Sequence, residues 1–321
     1  MLIKSKDSSE HILQELEALS KLPNLPTDTL ARIEREIKTK RFGDRGEYDS
    51  AYYIDFYFKD SPNWAIVHDL RIEYQGNIAQ IDHLLINRLL DFYVLESKNY
   101  AYGLKITELG EFLFLFNKHY VAIESPIEQN KRHVFVLERL LRGEELLPKR
   151  LGITLSPVFK PYVLVSPKSR VTRPANKQFD TKMVIKSDEL RKQIQSQYED
   201  PGPAKVFQGL SKLIGTDTLQ NLAERLASYH RPTSIDYCAR YGIIPISPQS
   251  SLSFSNELEP LSNQPLAPTS SESTHLDDKP VSKYFCAQCK KIISEKAAAF
   301  CFKNKQRFGG KAFCFNCQKH I

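Results

Sequence analysis

Three β-rich stretches, residues 64–74, 78–87 and 92–98, follow one another with only the turn signals Gln-Gly-Asn and Asn-Arg-Leu-Leu-Asp between them. Connections that short join neighbouring antiparallel strands, so the chain must build around a sheet. On either side the apolar period lengthens to three or four. Residues 11–22 and 27–40 predict helices, with Thr27 or Asp28 as caps, and a further helix spans 46–58. Residues 105–116 and 120–123 predict a hairpin, and Pro126 opens a helix reaching about Arg142. A short buried strand at 161–165 and helices at 188–198, 204–213 and 218–229 complete the pattern. This order predicts an α/β fold, a mixed sheet flanked by helices. Tyr52, Tyr53, Phe56, Tyr57 and Phe58 are expected to pack in its core and not to form a base-stacking platform.

From residue 247 to 280, Ser, Thr and Pro supply 16 of 34 positions, with five acids against Lys279. Such a segment buries too little apolar area to offset its ordering entropy and reads as a flexible linker. Beyond it the charge changes character. Residues 281–321 carry eight Lys and Arg307 against Glu295, a net +8, whereas the whole chain is +7. The other 280 residues therefore sum to −1, and the basic tail is expected to contact nucleic acid. No apolar run approaches the ~18 residues of a membrane span, and the N-terminus lacks the apolar core of a secretory signal. The expected setting is a reducing cytoplasm, where cysteines more often bind metal than pair.

Charged residues inside apolar strands mark the candidate site. Asp82 sits in Gln-Ile-Asp-His-Leu-Leu-Ile, and Glu96 and Lys98 in Tyr-Val-Leu-Glu-Ser-Lys. Side chains alternate along a strand, so Glu96 and Lys98 share one face. The short connection between the strands can bring Asp82 beside Glu96. Two converging carboxylates repel each other unless a cation joins them, and a hard divalent ion such as Mg²⁺ or Mn²⁺ suits oxygen donors. Glu47, on the preceding helix, can add a third ligand. Exposed Glu and Lys on a strand are ordinarily a solvated pair worth about 0–1 kcal/mol; burial among apolar residues makes these costlier. His83 is expected on the opposite face in a structural role, and His133 to pack or meet solvent. Gln129 shares a helix face with His133 by its i, i+4 spacing, and its plain reading is a hydrogen bond near the helix N-terminus.

The strings RFGDRGEYDSAYYI, AQIDHLLIN, FYVLESKNYAYG and SPIEQNKRHV, in that order, resemble the nuclease-related domain (NERD) family, a branch of the PD-(D/E)xK nucleases, over roughly residues 41–143. The resemblance implies a restriction-endonuclease-like core and phosphodiester hydrolysis. By it, Glu47 is the helix-borne acid, Asp82 the metal-binding aspartate, Glu96 and Lys98 the ExK pair, and Gln129 the glutamine of a Pro-Ile-x-Gln motif. Ser97 stands where the family usually has Thr, and Ser125 where it usually has Asn.

In the tail, Cys286 and Cys289 form one C-x₂-C pair, and Cys314 and Cys317 another, 24 residues apart. Four thiolates so spaced can enclose a tetrahedral Zn²⁺, a pattern resembling a zinc ribbon. A 41-residue unit would need that metal for stability. Cys301, in a strand-like stretch, is expected in the tail's core, and Cys238 to behave as a small apolar residue. Lys290, Lys291, Lys303, Lys305, Arg307 and Lys311 stand among phenylalanines, as phosphate tracking and base stacking require. A second basic stretch, 168–192, is either a solvated loop and helix or a DNA-facing flank. The expected organisation is a helical segment (1–40), a nuclease-like core (41–167), a helical part (168–246), the linker (247–280) and the ribbon (281–321). The expected function is divalent-metal-dependent hydrolysis of DNA. The competing expectation is a non-catalytic nucleic-acid binder or scaffold on the same fold, with a protein partner for the tail also open.

Overall fold

The computed structural model describes residues 1–100, 103–116, 118–175, 179–199, 209, 211–243, 284–285, 287, 292–293, 295–308, 311–313 and 317–320. The chain divides into two compact units, Met1–Ser250 and Ser251–Ile321. No helix among the described residues is long and apolar enough to cross a membrane.

The first unit begins with a short strand, β1 (Leu2–Lys4), and helix α1 (Glu10–Ser20). Residues 27–58 then form one continuous helix, α2 (Thr27–Phe58), instead of the two expected. The polar, Gly-containing stretch at 41–46 looks like a break in the pattern, but Gly costs a helix only about 1 kcal/mol. Gly46 also serves the packing, because a Cβ there would lie 2.7 Å from Asn99 Cβ at the end of a strand. After α2 come β2 (Trp64–Tyr74), β3 (Asn77–Asn87) and β4 (Asp91–Lys98), followed by a small meander of β5 (Leu104–Ile106), β6 (Phe112–Phe116) and β7 (His119–Ile123). Helix α3 (Pro126–Gly143) starts with Pro126 in its first turn and Ser125 Oγ accepting from the Glu128 N–H. A small hairpin of β8 (Lys149–Arg150) and β9 (Ile153–Thr154) precedes β10 (Val158–Val165), then β11 (Val171–Thr172), β12 (Val184–Lys186), α4 (Leu190–Ser196), α5 (Thr216–Ala227) and α6 (Tyr237–Tyr241). The expected helix at 204–213 falls mostly, and the linker wholly, outside the described residues.

The main sheet has the order β1-β2-β3-β4-β10-β12. Its β2-β3 and β3-β4 pairs are antiparallel, and β1-β2, β4-β10 and β10-β12 are parallel. It is the mixed sheet expected, extended at both edges by strands too short to show a period. One face packs Leu84, Ile86, Phe92 and Val94 against Val136, Leu137, Leu140 and Leu141 of α3 and against α5. The other packs Ile66, Leu85, Tyr93 and Leu95 against Ile54 and Phe58 of α2 and against α4. The sheet kinks at Asp69, whose φ of 50° is left-handed. Before it Ala65 and Val67 face α3, and after it Leu70 and Ile72 do. Asp tolerates this region better than most side chains.

Of the aromatics expected in the core, Phe58 is buried, whereas Tyr52, Phe56 and Tyr57 are exposed and Tyr53 is half-buried. Helical periodicity assigns a face only when the flanking polar residues define one, and here aromatics occur on every side of α2. In the second unit the stretch around Cys301 is helix α7 (Glu295–Lys303), not a strand. Cys301 lies in a small core with Ala298, Phe308, Ala312 and Phe313, and its Sγ accepts from the Phe313 N–H at 3.3 Å.

Candidate functional site

Strands β3 and β4 place His83 opposite Leu95 and Leu84 opposite Val94. The ladder ends at His83 and Leu95, so Asp82 and Glu96 stand just beyond it, each next to a paired residue. The Ser97 N–H donates to Asp82 Oδ2 at 2.7 Å, which fixes the aspartate to the neighbouring strand. Lys98 follows Glu96 on the same face, and its Nζ lies 2.8 Å from Glu96 Oε1. The other oxygen, Oε2, is 3.4 Å from His133 Nδ1 on α3, and neither atom makes a hydrogen bond. Glu96 is only 3% exposed, so that orphaned oxygen is an open valence in a buried place.

Helix α3 is seated by Asn130, whose Nδ2 donates to the Val94 carbonyl at 2.8 Å and the Tyr162 carbonyl at 3.0 Å. It thereby clamps α3 over the junction of β4 and β10, and the next turn delivers His133 to Glu96. Gln129, half-buried in the first turn, makes no side-chain hydrogen bond among the described residues. Its position in the first turn agrees with either expectation for it.

Glu47 arrives from α2, beside Gly46. Its Oε2 lies 3.0 Å from Lys6 Nζ, which also lies 2.9 Å from Asp44 Oδ1. Ser9 Oγ donates to the other Asp44 oxygen at 2.6 Å. Lys6 follows β1 and is carried in by the pairing of that strand with β2. Asp69 stands between His68, opposite His83, and Leu70, opposite Ile81, which puts it level with Asp82.

The electrostatics show these groups sharing one field. Burial first, then the charges of Glu96 and Glu47, push the Asp82 carboxyl well above the usual aspartate range. Burial also raises Glu47, with Lys6 opposing and Asp44 and Asp69 adding to the rise. Burial likewise acts to raise Glu96, but His133 and Lys98 outweigh it and hold that carboxyl below its ordinary value. Burial would lower Lys6, yet its acidic partners lift it to about 12. The four groups singled out in the sequence, Glu47, Asp82, Glu96 and Lys98, thus act on one another around Asp82. They do not form a closed cage: among the described residues no group of three or more His, Cys, Asp or Glu side chains is placed to hold a metal. The Glu47 carboxylate is instead engaged by Lys6.

Behind β4 a second polar array crosses the sheet. His83 Nε2 is 3.0 Å from Ser97 Oγ, His83 Nδ1 is 2.8 Å from His68 Nδ1, and His68 Nε2 is 3.1 Å from Asp55 Oδ1 on α2. With both rings neutral, as their burial favours, the accepting carboxylate sets one direction: His68 donates to Asp55, His83 donates to His68, and the Ser97 hydroxyl donates to His83. Each imidazole then has a fixed tautomer. Burial lowers both rings, His83 strongly. His83 is buried in this array, and the hydroxyl of Ser97 is one of the groups it meets.

Residues 42–166 match one family model, that of the nuclease-related domain (NERD). This match supports the NERD family for that stretch of the chain. No curated protein and no solved structure matches the chain. The matched segment contains every acid of the site, Asp44, Glu47, Asp69, Asp82 and Glu96, whereas Lys6 comes from residues preceding the match. Lys6, Asp69, Asn130 and His133 escaped the sequence reading. His133 alone had a local signal, its i, i+4 step from Gln129; Lys6 and Asp69 are brought in by strand pairing, which no short motif records. Cys286, Cys289, Cys314, Lys290 and Lys291 lie outside the described residues. Cys317 packs partly against the small core, Lys303 and Lys311 are exposed, and the exposed Arg307 lies over the Phe308 ring at 5.1 Å.

Proposed function

We propose that the NERD segment hydrolyses phosphodiester bonds of DNA in the cytoplasm with the help of a divalent ion, Mg²⁺ or Mn²⁺. What carries this reading is the Asp82–Glu96 pair. Two neighbouring carboxylates, one pushed up by burial and then by the charge of the other, and one with an orphaned buried oxygen, fit a hard cation. Asp82 and Glu96 would hold it, with Glu47 as an outlying third donor. Such an ion neutralises charge on the phosphate and supplies an acidified water. The remaining work falls to side chains. Lys98, on the face of Glu96, donates to and orients the attacking water. His133 and Asn130 keep Glu96 and α3 in place, and Gln129, with its amide unengaged, hydrogen-bonds a phosphate oxygen.

Lys6 supplies a built-in positive charge for Glu47. Replacing it, Lys6→Gln, is expected to free that carboxylate and tighten Mn²⁺ binding by on the order of tenfold, read by titration calorimetry. A second reading, a nuclease fold that binds nucleic acid without cutting it, is favoured by the open carboxylate arrangement. The same calorimetry decides between them. Mg²⁺ or Mn²⁺ binding lost in Asp82→Ala supports the hydrolase; no binding by the intact protein, together with salt-sensitive DNA binding, supports the scaffold.

For the second unit the proposal is a zinc ribbon, held by Cys286, Cys289, Cys314 and Cys317, that grips nucleic acid through Lys290, Lys291, Lys303, Lys305, Arg307 and Lys311. Each phosphate neutralised should add about −0.9 to the slope of log K against log salt on duplex DNA. Deleting residues 281–321 is expected to flatten that slope by several units. An unchanged slope would remove the tail from DNA binding and leave a protein partner as its target.

A further inference from the structure

The outward side of α2 carries an ordered pattern. Arg41, Arg45, Tyr48, Tyr52, Phe56 and Lys59 follow one another at steps of 4, 3, 4, 4 and 3. At about 100° per residue they fall within one arc of about 80°. The three rings are 69%, 63% and 65% exposed, and Arg41, Arg45 and Lys59 are exposed as well. Tyr52 and Phe56 rings lie 6.1 Å apart, and Lys6 sits over the Tyr48 ring at 5.8 Å while holding Glu47. The stripe thus adjoins the candidate site at its Tyr48 end. Aligned large aromatics are unusual on a free surface and mark binding.

We propose that this stripe is a stacking platform for single-stranded DNA, an inference that rests on the DNA reading of the adjoining site and adds the strand form it engages. Unpaired bases offer π-faces to the rings, and the flanking phosphates meet cations at both ends of the row. In duplex DNA those faces are already stacked and out of reach. The exposed acid at the edge of the stripe is Asp49, and Arg41 shares its charge with Glu17 at 2.5 Å. A second copy of α2 fits this face poorly. Docked antiparallel about Tyr52, it would set Arg45 against Lys59, seven residues to either side, and like charges would meet.

The test combines Tyr48→Ala, Tyr52→Ala and Phe56→Ala in the full chain carrying Asp82→Asn, so that bound DNA stays intact whether or not the protein is a hydrolase. A thymidine 20-mer is expected to bind at least tenfold more weakly than to the Asp82→Asn protein, and a blunt 20-base-pair duplex within twofold. Photo-crosslinking of the 20-mer is expected to label the tryptic peptide 46–59, which ends at the cuts after Arg45 and Lys59 and contains all three rings. Unchanged affinity for the 20-mer, or labelling confined to other peptides, overturns the proposal. So does a dimer seen by light scattering that the triple substitution dissolves, which would make the stripe a protein interface. Failure of the intact protein to cleave DNA would end the hydrolase reading and leave these binding results standing.

Discussion

Asp82→Asn is expected to abolish metal-dependent cleavage and, in the same protein, to raise the melting temperature measured without divalent ions. Both effects have one cause. The Asp82 carboxyl is pushed well up, by burial and then by the charges of Glu96 and Glu47. A carboxyl raised on folding stabilises the protein at low pH, and that contribution is lost as pH rises through its folded value. Wherever it is ionised, the side chain is therefore a burden that a bound cation would relieve. The amide is nearly isosteric and its Oδ1 can still accept the Ser97 N–H, so the fold keeps its contact and loses the repulsion. Loss of a principal ligand should lower plasmid cleavage in Mg²⁺ by at least about 10³-fold, since such an ion contributes several kcal/mol to the transition state. Lys98→Ala should also abolish cleavage while lowering the melting temperature, because it takes from buried Glu96 its 2.8 Å partner. Cleavage that survives both substitutions would end the catalytic assignment. A melting temperature that falls in Asp82→Asn would show that the carboxylates do not repel.

The parts of this site that were legible in the sequence are those a short window contains. Glu96 and Lys98 share a face because strands alternate, and Asp82 comes near Glu96 because a short turn leaves few registers for β3 and β4, which pair as far as His83 and Leu95. The strand boundaries at 64–74 were equally local, set by turn residues on either side. What could not be read was everything that depends on which elements meet. Lys6 follows a three-residue strand whose parallel partner begins some sixty positions away, and nothing in Leu-Ile-Lys announces it. Asp69 sits in the middle of a good β pattern, and only its left-handed backbone reveals the kink. His133 and Asn130 required knowing which face of α3 meets β4. The aromatics of α2 were misassigned for a related reason: a run of large rings with no polar face carries no phase, so the sheet, not the sequence, decides that Phe58 goes in and Tyr48, Tyr52 and Phe56 stay out.

Acidification should expose the buried histidine pair. His68 and His83 are both held below the ordinary imidazole value, His68 by burial against the opposing pull of Asp55, His83 by burial and then by the charges of His68 and Lys6. The unfolded chain titrates near 6.5, so below that pH it binds protons that the folded chain refuses. Stability is then fully present above about pH 6.5 and is lost as pH falls, by about 1.4 kcal/mol per pH unit for each proton taken up on unfolding. Two rings give a slope approaching twice that. The geometry explains why neither ring can simply accept the proton. Both nitrogens of each imidazole are engaged inside the protein, in a row from Ser97 to Asp55, so an added charge would sit in a buried place that water does not reach. Urea denaturation between pH 7.5 and 5 measures the slope, and His83→Leu, less stable at neutral pH, should be flatter by one proton. A wild-type stability that stays level across this range would mean that the rings already carry charge in the folded protein. His83 would then donate to the Ser97 hydroxyl while His68 still donates to Asp55, and Ser97 would be free to turn its own proton elsewhere.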